Sequence, residues 1–347
     1  MILSCVMTRK TKLLSALRRE LRISDGLVRR LKPLDAFRVN GQSAHTNQIL
    51  VPGDRVTVTI EEASPDFPAQ QGPLSILYED DCLIALDKPQ GILVHPTFSR
   101  QTDTLANYLL GHYQATGQAC AVHVVTRLDR DTMGVVLFAK NAWAHWLLME
   151  QLADGRLEKV YEALTLGGPE EEEGLIDLPI AKRPNPSLLR YVDPSGKPAQ
   201  TRFRVLERGE ICRLELRPLT GRTHQLRVHC AYLGFPIVGD PQYGGVLSSE
   251  FRVLSSVGAV IGRPPETGDG ETDSSTSLRC AQNDNRETDS STPLHCAQND
   301  NWETDSSTPL RCAQNDNAGG QRLIARRISL AHPLTGERIM LVSQIAL

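Results

Sequence analysis

Three consecutive 16-residue copies limit what this 347-residue chain can fold into: ETDSSTSLRCAQNDNR from Glu271, ETDSSTPLHCAQNDNW from Glu287 and ETDSSTPLRCAQNDNA from Glu303. Each offers one leucine, one alanine and one cysteine as dependable apolar content. That cannot offset the backbone entropy lost on ordering, roughly 1–2 kcal/mol per residue. The copies also lack the glycines or regularly spaced leucines with which calcium-binding arrays and solenoids build a core. Residues 248–320 therefore read as a low-complexity, disordered insertion, and near-identity between copies points to recent duplication. The core must come from the chain before it and from residues 321–347 after it.

The insertion also masks the charge of the remainder. The chain carries 38 Lys+Arg and 41 Asp+Glu; residues 264–320 hold 11 acidic residues and 3 arginines, so 35 basic and 30 acidic residues lie elsewhere. Residues 1–62, with 11 basic and 6 acidic side chains, match that whole excess. A small basic terminal unit predicts a polyanionic partner. The eight cysteines form no CxxC pair, and Cys280, Cys296 and Cys312 recur only because the copies do, so neither zinc nor a disulfide framework is expected. No apolar run reaches the roughly 18 residues of a membrane span. The start, MILSCVMTRKTKLL, is too short an apolar stretch for a secretory signal, which makes a cytoplasmic protein the expectation.

Within residues 1–62, LSALRRELRISDGLVRRLK spaces Leu14, Leu17, Leu21, Leu27, Val28 and Leu31 for two short helices broken at SDG, with Ser24 or Asp25 capping the second. FRVNGQSAHTNQILVPGDRVTVTI reads as small strands joined through an Asn-Gly turn. Arg18, Arg19, Arg29 and Arg30 crowd the helices. The prolines of EEASPDFPAQQGP mark a linker over 63–73. From residue 74 to 247, LIALDK and GVVLFAK read as buried strands. ICRLELRP alternates Cys212, Leu214 and Leu216 against Arg213, Glu215 and Arg217. DTLANYLLGHYQA and NAWAHWLLMEQLADG read as helices between them, which makes the class α+β.

TRLDRDTMG, Thr126 to Gly134, sets Asp129 between Arg127 and Arg130 just before a buried strand. Taken alone it is a polar turn, since aspartate favours turns by bonding its own backbone. Its company argues for more. EDDCLIALDKPQGILVHPT (79–97), VTRLDRDTMGVVLFAK (125–140), LEKVYEALTLG (157–167) and LRPLTGRTHQLRVHCAYLGFPIVGDPQYG (216–244) together resemble the RluA-type family of pseudouridine synthases. The likeness covers about residues 74–245 and resumes at RRISLAHPLTGE (326–337), beyond the insertion. Residues 1–62 resemble the alpha-L type RNA-binding module.

The resemblance implies a pseudouridine synthase fold, a long mixed and mostly antiparallel sheet flanked by helices, and a monomeric enzyme that isomerises uridine in RNA. It implies no cofactor and no metal, because the reaction has no redox or hydrolytic step. Asp129 takes the place of the family's catalytic aspartate. A carboxylate can attack an electron-poor carbon and leave again, and attack at C6 of the base, attack at C1′ of the sugar and elimination to a glycal all stay open. An ionised carboxylate in an apolar pocket needs a cation beside it; by resemblance Arg227 is that partner, a role that suits the guanidinium fork. Tyr161 corresponds to the tyrosine that packs on the target base and could move the C5 proton.

Because a stacked uracil is out of reach, the nucleotide must be flipped out. Arg127 corresponds to the residue that fills the space it leaves. Arg222, Thr223, His224 and Gln225 line the pocket or hold its loop, with His224 read as structural. Thr126 and Met133 stand where the family often has His and Ser, which puts only local RNA contacts in doubt. The basic module favours structured RNA, with ribosomal large-subunit RNA as the expected partner and transfer RNA as the alternative. Two rivals are weaker: a non-catalytic RNA-binding or assembly protein would not need Asp129, Tyr161 and Arg227 together, and a glycoside hydrolase needs a second carboxylate, for which Asp131 alone is adjacent.

Overall fold

The computed structural model describes residues 1–63, 65–184, 189–244, 261–262 and 320–347. The expected disorder of 248–320 falls outside the described residues, apart from Ile261–Gly262 and Gly320.

The amino-terminal unit runs β1 (Ile2–Val6), β2 (Thr11–Lys12), α1 (Leu13–Arg19), α2 (Asp25–Leu31), β3 (Phe37–Val39), β4 (Gln42–Ser43), β5 (Ile49–Leu50) and β6 (Arg55–Thr59). Helix α1 buries Leu13, Ala16 and Leu17, and α2 buries Leu27, Val28 and Leu31, so both arginine pairs stay outside. Ser24, not Asp25, caps α2: its Oγ accepts the Leu27 N–H at 3.2 Å. Asn40 and Gly41 both take positive φ, 52° and 86°, which closes the two-residue hairpin between β3 and β4.

The second domain runs β7 (Ile76–Glu79), β8 (Leu83–Lys88), α3 (Leu105–Ala115), β9 (His123–Val124), β10 (Met133–Ala139), α4 (Ala142–Ala153), β11 (Glu158–Leu166), β12 (Glu173–Asp177), β13 (Ile180–Lys182), β14 (Arg190–Val192), β15 (Gln200–Glu207), β16 (Ile211–Pro218), α5 (Gln225–Tyr232), β17 (Ile261–Gly262), β18 (Leu323–Ala331) and β19 (Arg338–Val342). Its main sheet has the order β17-β12-β15-β16-β11-β18-β10-β8-β7, with β19 on β18 and β9 on β10. Among the described strands only β10 and β18 pair in parallel, so the sheet is mixed and mostly antiparallel and the class is α+β. Strands β8 and β10 are buried on both faces. Leu83, Ala85, Val135, Leu137 and Ala139 join the cluster that contains α4, and Ile84, Leu86, Val136 and Phe138 join the one that contains α3.

Strand β18 joins two half-sheets, since among the described residues β10 and β11 meet only through it. Ala325 lies opposite Gly134 on one side and Tyr161 on the other. Gly134 has φ 102°, and a Cβ there would come within 2.3 Å of the Ala325 carbonyl oxygen, so a glycine is what lets these strands close.

The expected linker is docked against the second domain. The Gln70 side chain bonds both the side chain and the N–H of Asp103, the Gln70 N–H donates to Asn107 O at 3.0 Å, and Asn107 Nδ2 donates to Pro68 O at 2.8 Å. The amino-terminal unit shares one hydrophobic cluster with Trp143, Ala144, Leu147 and Leu148 of α4. The Trp143 indole N–H donates to Leu21 O at 2.8 Å, and the Glu62 carboxylate bridges Arg30, His123 and the Ala142 N–H. A continuous core joins the two units that the sequence connects by the 63–73 linker.

Candidate active site

Asp129 sits on the loop from β9 to β10, and that loop is tied down on both sides. Thr126 Oγ1 accepts the Leu137 N–H at 2.9 Å, Leu128 packs into the cluster that holds Tyr161 and Leu226, and the Thr132 N–H turns back to Asp129 O at 3.2 Å. From β8, the Lys88 ammonium donates to Arg130 O at 2.6 Å and to Pro89 O at 2.9 Å. Burial pushes the pKa of Lys88 down to about 7. The neighbouring arginines are not the partners of Asp129: Arg130 pairs with Asp131 at 3.0 Å, and Arg127 is exposed with no hydrogen bond or ion pair among the described residues.

The partner comes from α5, 98 positions along the chain. Arg227 Nη1 donates to Asp129 Oδ2 at 3.1 Å. Arg227 is itself locked by a fully buried carboxylate: Nε and Nη2 donate to the two oxygens of Asp240 at 2.7 and 2.9 Å, and Nη2 also reaches Gln242 Oε1 at 2.8 Å. The Tyr243 ring lies 4.9 Å below the guanidinium. Burial works against the charge, but Asp240 and Asp129 outweigh it and hold the Arg227 pKa above its ordinary value. The Asp129 side chain is 29% exposed, so a buried cation steadies a carboxylate that still reaches solvent.

Tyr161 lies on β11 opposite Ala325 and Leu216, with 8% of its surface exposed. Burial, then the charge of Asp129, raises its pKa, so the phenol stays protonated at neutral pH. His224 opens α5 with its Nδ1 2.9 Å from the Tyr243 hydroxyl and its Nε2 3.9 Å from Asp129 Oδ2. Gln225 is buried and fully bonded: Oε1 accepts from Thr220 and the Arg222 N–H, and Nε2 donates to Gln200 O and Thr201. It holds the loop, the second of the two roles expected for it, and its side chain has its bonds filled within the chain. Thr223 and Arg222 are exposed, Arg222 with its Nε on Pro198 O. In the amino-terminal unit Arg18 pairs with Asp25 at 2.6 Å and Arg30 with Glu62 at 3.4 Å, while Arg19 and Arg29 have no carboxylate partner among the described residues.

Among the described residues one group of metal-ligand types, Asp80, Cys82 and His332, comes within 4.8 Å. Asp80 is already committed, since it accepts from the Tyr78 hydroxyl and the N–H groups of Cys82 and Leu83; His332 Nε2 lies 2.8 Å from it, and burial pushes the Cys82 thiol up to about 12.

Residues 82–232 match the RNA pseudouridylate synthase family. The uncharacterised RNA pseudouridine synthase YhcT of Bacillus subtilis is 40% identical over 240 residues, which are 67% of this chain and 78% of that protein. This chain belongs to the RluA-type family of RNA pseudouridine synthases. The synthase is also 37% identical to ribosomal large subunit pseudouridine synthase D of Pasteurella multocida, over 60% of this chain and 64% of that protein. Human RNA pseudouridylate synthase domain containing 1 shares its fold, with a TM-score of 0.50 and 22% identity over 80% of this chain and 86% of that one. As a family member the synthase is an isomerase that acts on RNA.

Around Asp129, the structure adds Lys88, Asp240, Gln242 and Tyr243 to the residues that the sequence singled out. Lys88 lies within LDKPQG, and the other three crowd into GDPQYG, which follows the Arg227 motif; the residue types stand in the sequence, but not their turn toward Arg227.

Proposed function

We propose that this synthase isomerises specific uridines of structured RNA, with ribosomal large-subunit RNA as its substrate, and that Asp129 is the reacting carboxylate. The reading rests on one observation above others. Asp129 and Arg227 are drawn from distant motifs into a 3.1 Å ion pair, with the guanidinium backed by Asp240. Three relatives at 37–39% identity are named for the large ribosomal subunit, which favours that RNA. Tyr161, protonated and close enough to feel the charge of Asp129, packs on the flipped base. Arg127, exposed and without a partner among the described residues, fills the vacated space, at a flipping cost of a few kcal/mol. The exposed arginines of residues 1–62 hold the flanking RNA. In this reading residues 74–247 and 321–347 form the catalytic domain.

The test is a pseudouridine map of total RNA, by carbodiimide labelling and reverse-transcription stops. The map compares cells that carry the intact gene, no gene, or Asp129→Asn. Sites lost from large-subunit RNA without the gene, and not restored by Asp129→Asn, are expected. Sites lost from transfer RNA instead would move the substrate, and no lost site would leave an RNA-binding role.

A further inference from the structure

Asp129 is anchored through one oxygen. Arg227 Nη1 at 3.1 Å and His224 Nε2 at 3.9 Å both approach Oδ2, and Oδ1 has no hydrogen-bond partner among the described residues. The state of His224 is set from behind. The Arg190 N–H donates to the Tyr243 hydroxyl oxygen at 2.8 Å, which leaves the hydroxyl proton for His224 Nδ1 at 2.9 Å. A neutral imidazole that accepts at Nδ1 carries its own proton on Nε2, the nitrogen that faces Asp129.

The backbone supports the same aim. His224 has φ 57°, a left-handed conformation uncommon for a side-chain-bearing residue, and strain of this kind gathers at functional sites. Although it occupies the cap position of α5, its ring makes no capping bond. The ring is spent on Tyr243, and its other nitrogen faces Asp129 at 3.9 Å.

Resting on the reading of Asp129 as the reacting carboxylate, we infer that His224 is a positioning residue. Its neutral Nε2–H ring, fixed by Tyr243, aims its N–H dipole at Oδ2 from 3.9 Å, beside Arg227, and leaves Oδ1 as the oxygen presented to the substrate. Asp129 and Asp240 face the ring as anions, Arg227 and Arg190 as cations, and Tyr243 as a neutral hydroxyl. Burial outweighs the anions and keeps its pKa below the ordinary 6.5. The ring is then neutral at neutral pH. A second proton would have to enter at Nδ1, where it would displace the Tyr243 hydrogen bond and undo the arrangement, so turnover falls on the acid side.

Two variants test this in the full-length chain. His224→Asn keeps a residue that tolerates φ 57° but cannot reach Asp129, and Tyr243→Phe keeps the ring under Arg227 without the hydroxyl. Turnover is read as tritium release from [5-³H]uridine-labelled total RNA of cells that lack the gene, which holds the unmodified site whatever RNA carries it. His224→Asn is expected to lower kcat about tenfold, with KM unchanged within about twofold. Tyr243→Phe should show a smaller fall in kcat, and in His224→Asn the acid limb should move to lower pH. Histidine ¹⁵N NMR should show the Nε2–H tautomer at His224, with a titration midpoint that drops in Asp129→Asn.

Wild-type kcat in both variants, a loss confined to KM, or an Nδ1–H tautomer would overturn the inference. Asp129→Asn is measured alongside: retained turnover there would sink the reading of Asp129 itself, whereas lost turnover there with His224→Asn unaffected would sink only the role of His224.

Discussion

Replacing Asp240 with asparagine isolates what holds the site in place. Asp240 is fully buried, and its two oxygens take Nε and Nη2 of Arg227, whose side chain is 6% exposed. Asparagine keeps an acceptor for the N–H groups of Gln242 and Tyr243, at 2.9 and 3.1 Å. The negative charge is removed, and an NH₂ group is set against the guanidinium. Leaving one member of a buried ion pair uncompensated costs ~3–5 kcal/mol. Asp129 still balances part of the Arg227 charge, so the lower end applies. At ~2–4 °C per kcal/mol for a domain of this size, a loss of ~3 kcal/mol lowers Tm by about 6–12 °C. The assay is differential scanning calorimetry of the full chain at pH 7. Substituting both partners, Arg227→Met with Asp240→Leu, should recover only part of the loss, because those two backbone N–H groups then have no acceptor. A fall of less than about 2 °C in Asp240→Asn would refute the chain of support from Asp240 through Arg227 to Asp129.

His229 is wholly buried between Thr201 and Leu178 O, and burial pushes its pKa down to about 4. The folded chain therefore binds fewer protons there than the unfolded chain between pH 6.5 and about 4. The stabilisation is complete above 6.5 and is lost as pH falls toward 4, up to ~3 kcal/mol. His229→Gln should flatten Tm against pH over that window, and an unchanged slope would refute the assignment. Arg19→Ala with Arg29→Ala should weaken RNA binding and reduce its log–log salt slope by about 1.5, in filter binding at several salt concentrations; an unaltered slope would remove these helices from the RNA interface. The double substitution is a cleaner probe than deletion of residues 1–62, which would strip one side from a shared core.

Much of the site was legible because its chemistry is carried by compact motifs. Asp129, Arg227 and Tyr161 each lie in a stretch whose residue types fit the reaction, although 98 positions separate the first two. The supports were less legible. Nothing local in GDPQYG says that its aspartate turns inward to a guanidinium. A buried lysine at the end of β8 breaks the expectation that such residues face solvent, and only the carbonyls of Arg130 and Pro89 explain it. Among the elements, α2 and the Asn-Gly hairpin followed from local capping and turn chemistry. The docking of the amino-terminal unit did not. Trp143 marks an apolar helix face whichever surface covers it, and its bond to Leu21 O joins residues 122 positions apart. Prolines made 63–73 read as a linker, whereas its backbone and glutamine groups find partners on α3 and on Asp103 just before it.

The position of β18 sets the order in which a nascent chain can finish this enzyme. Asp129 belongs to one half-sheet and Tyr161 and Arg227 to the other, and the strand between them starts about 105 residues after β16 ends. At about 5–20 residues per second, a translating ribosome needs roughly 5–20 s to cover that distance. Throughout that interval the facing edges of β10 and β11 have no strand to pair with, and open edges of this kind are templates for association with other chains. The synthase is thus most exposed to aggregation while its polar repeats are being synthesised.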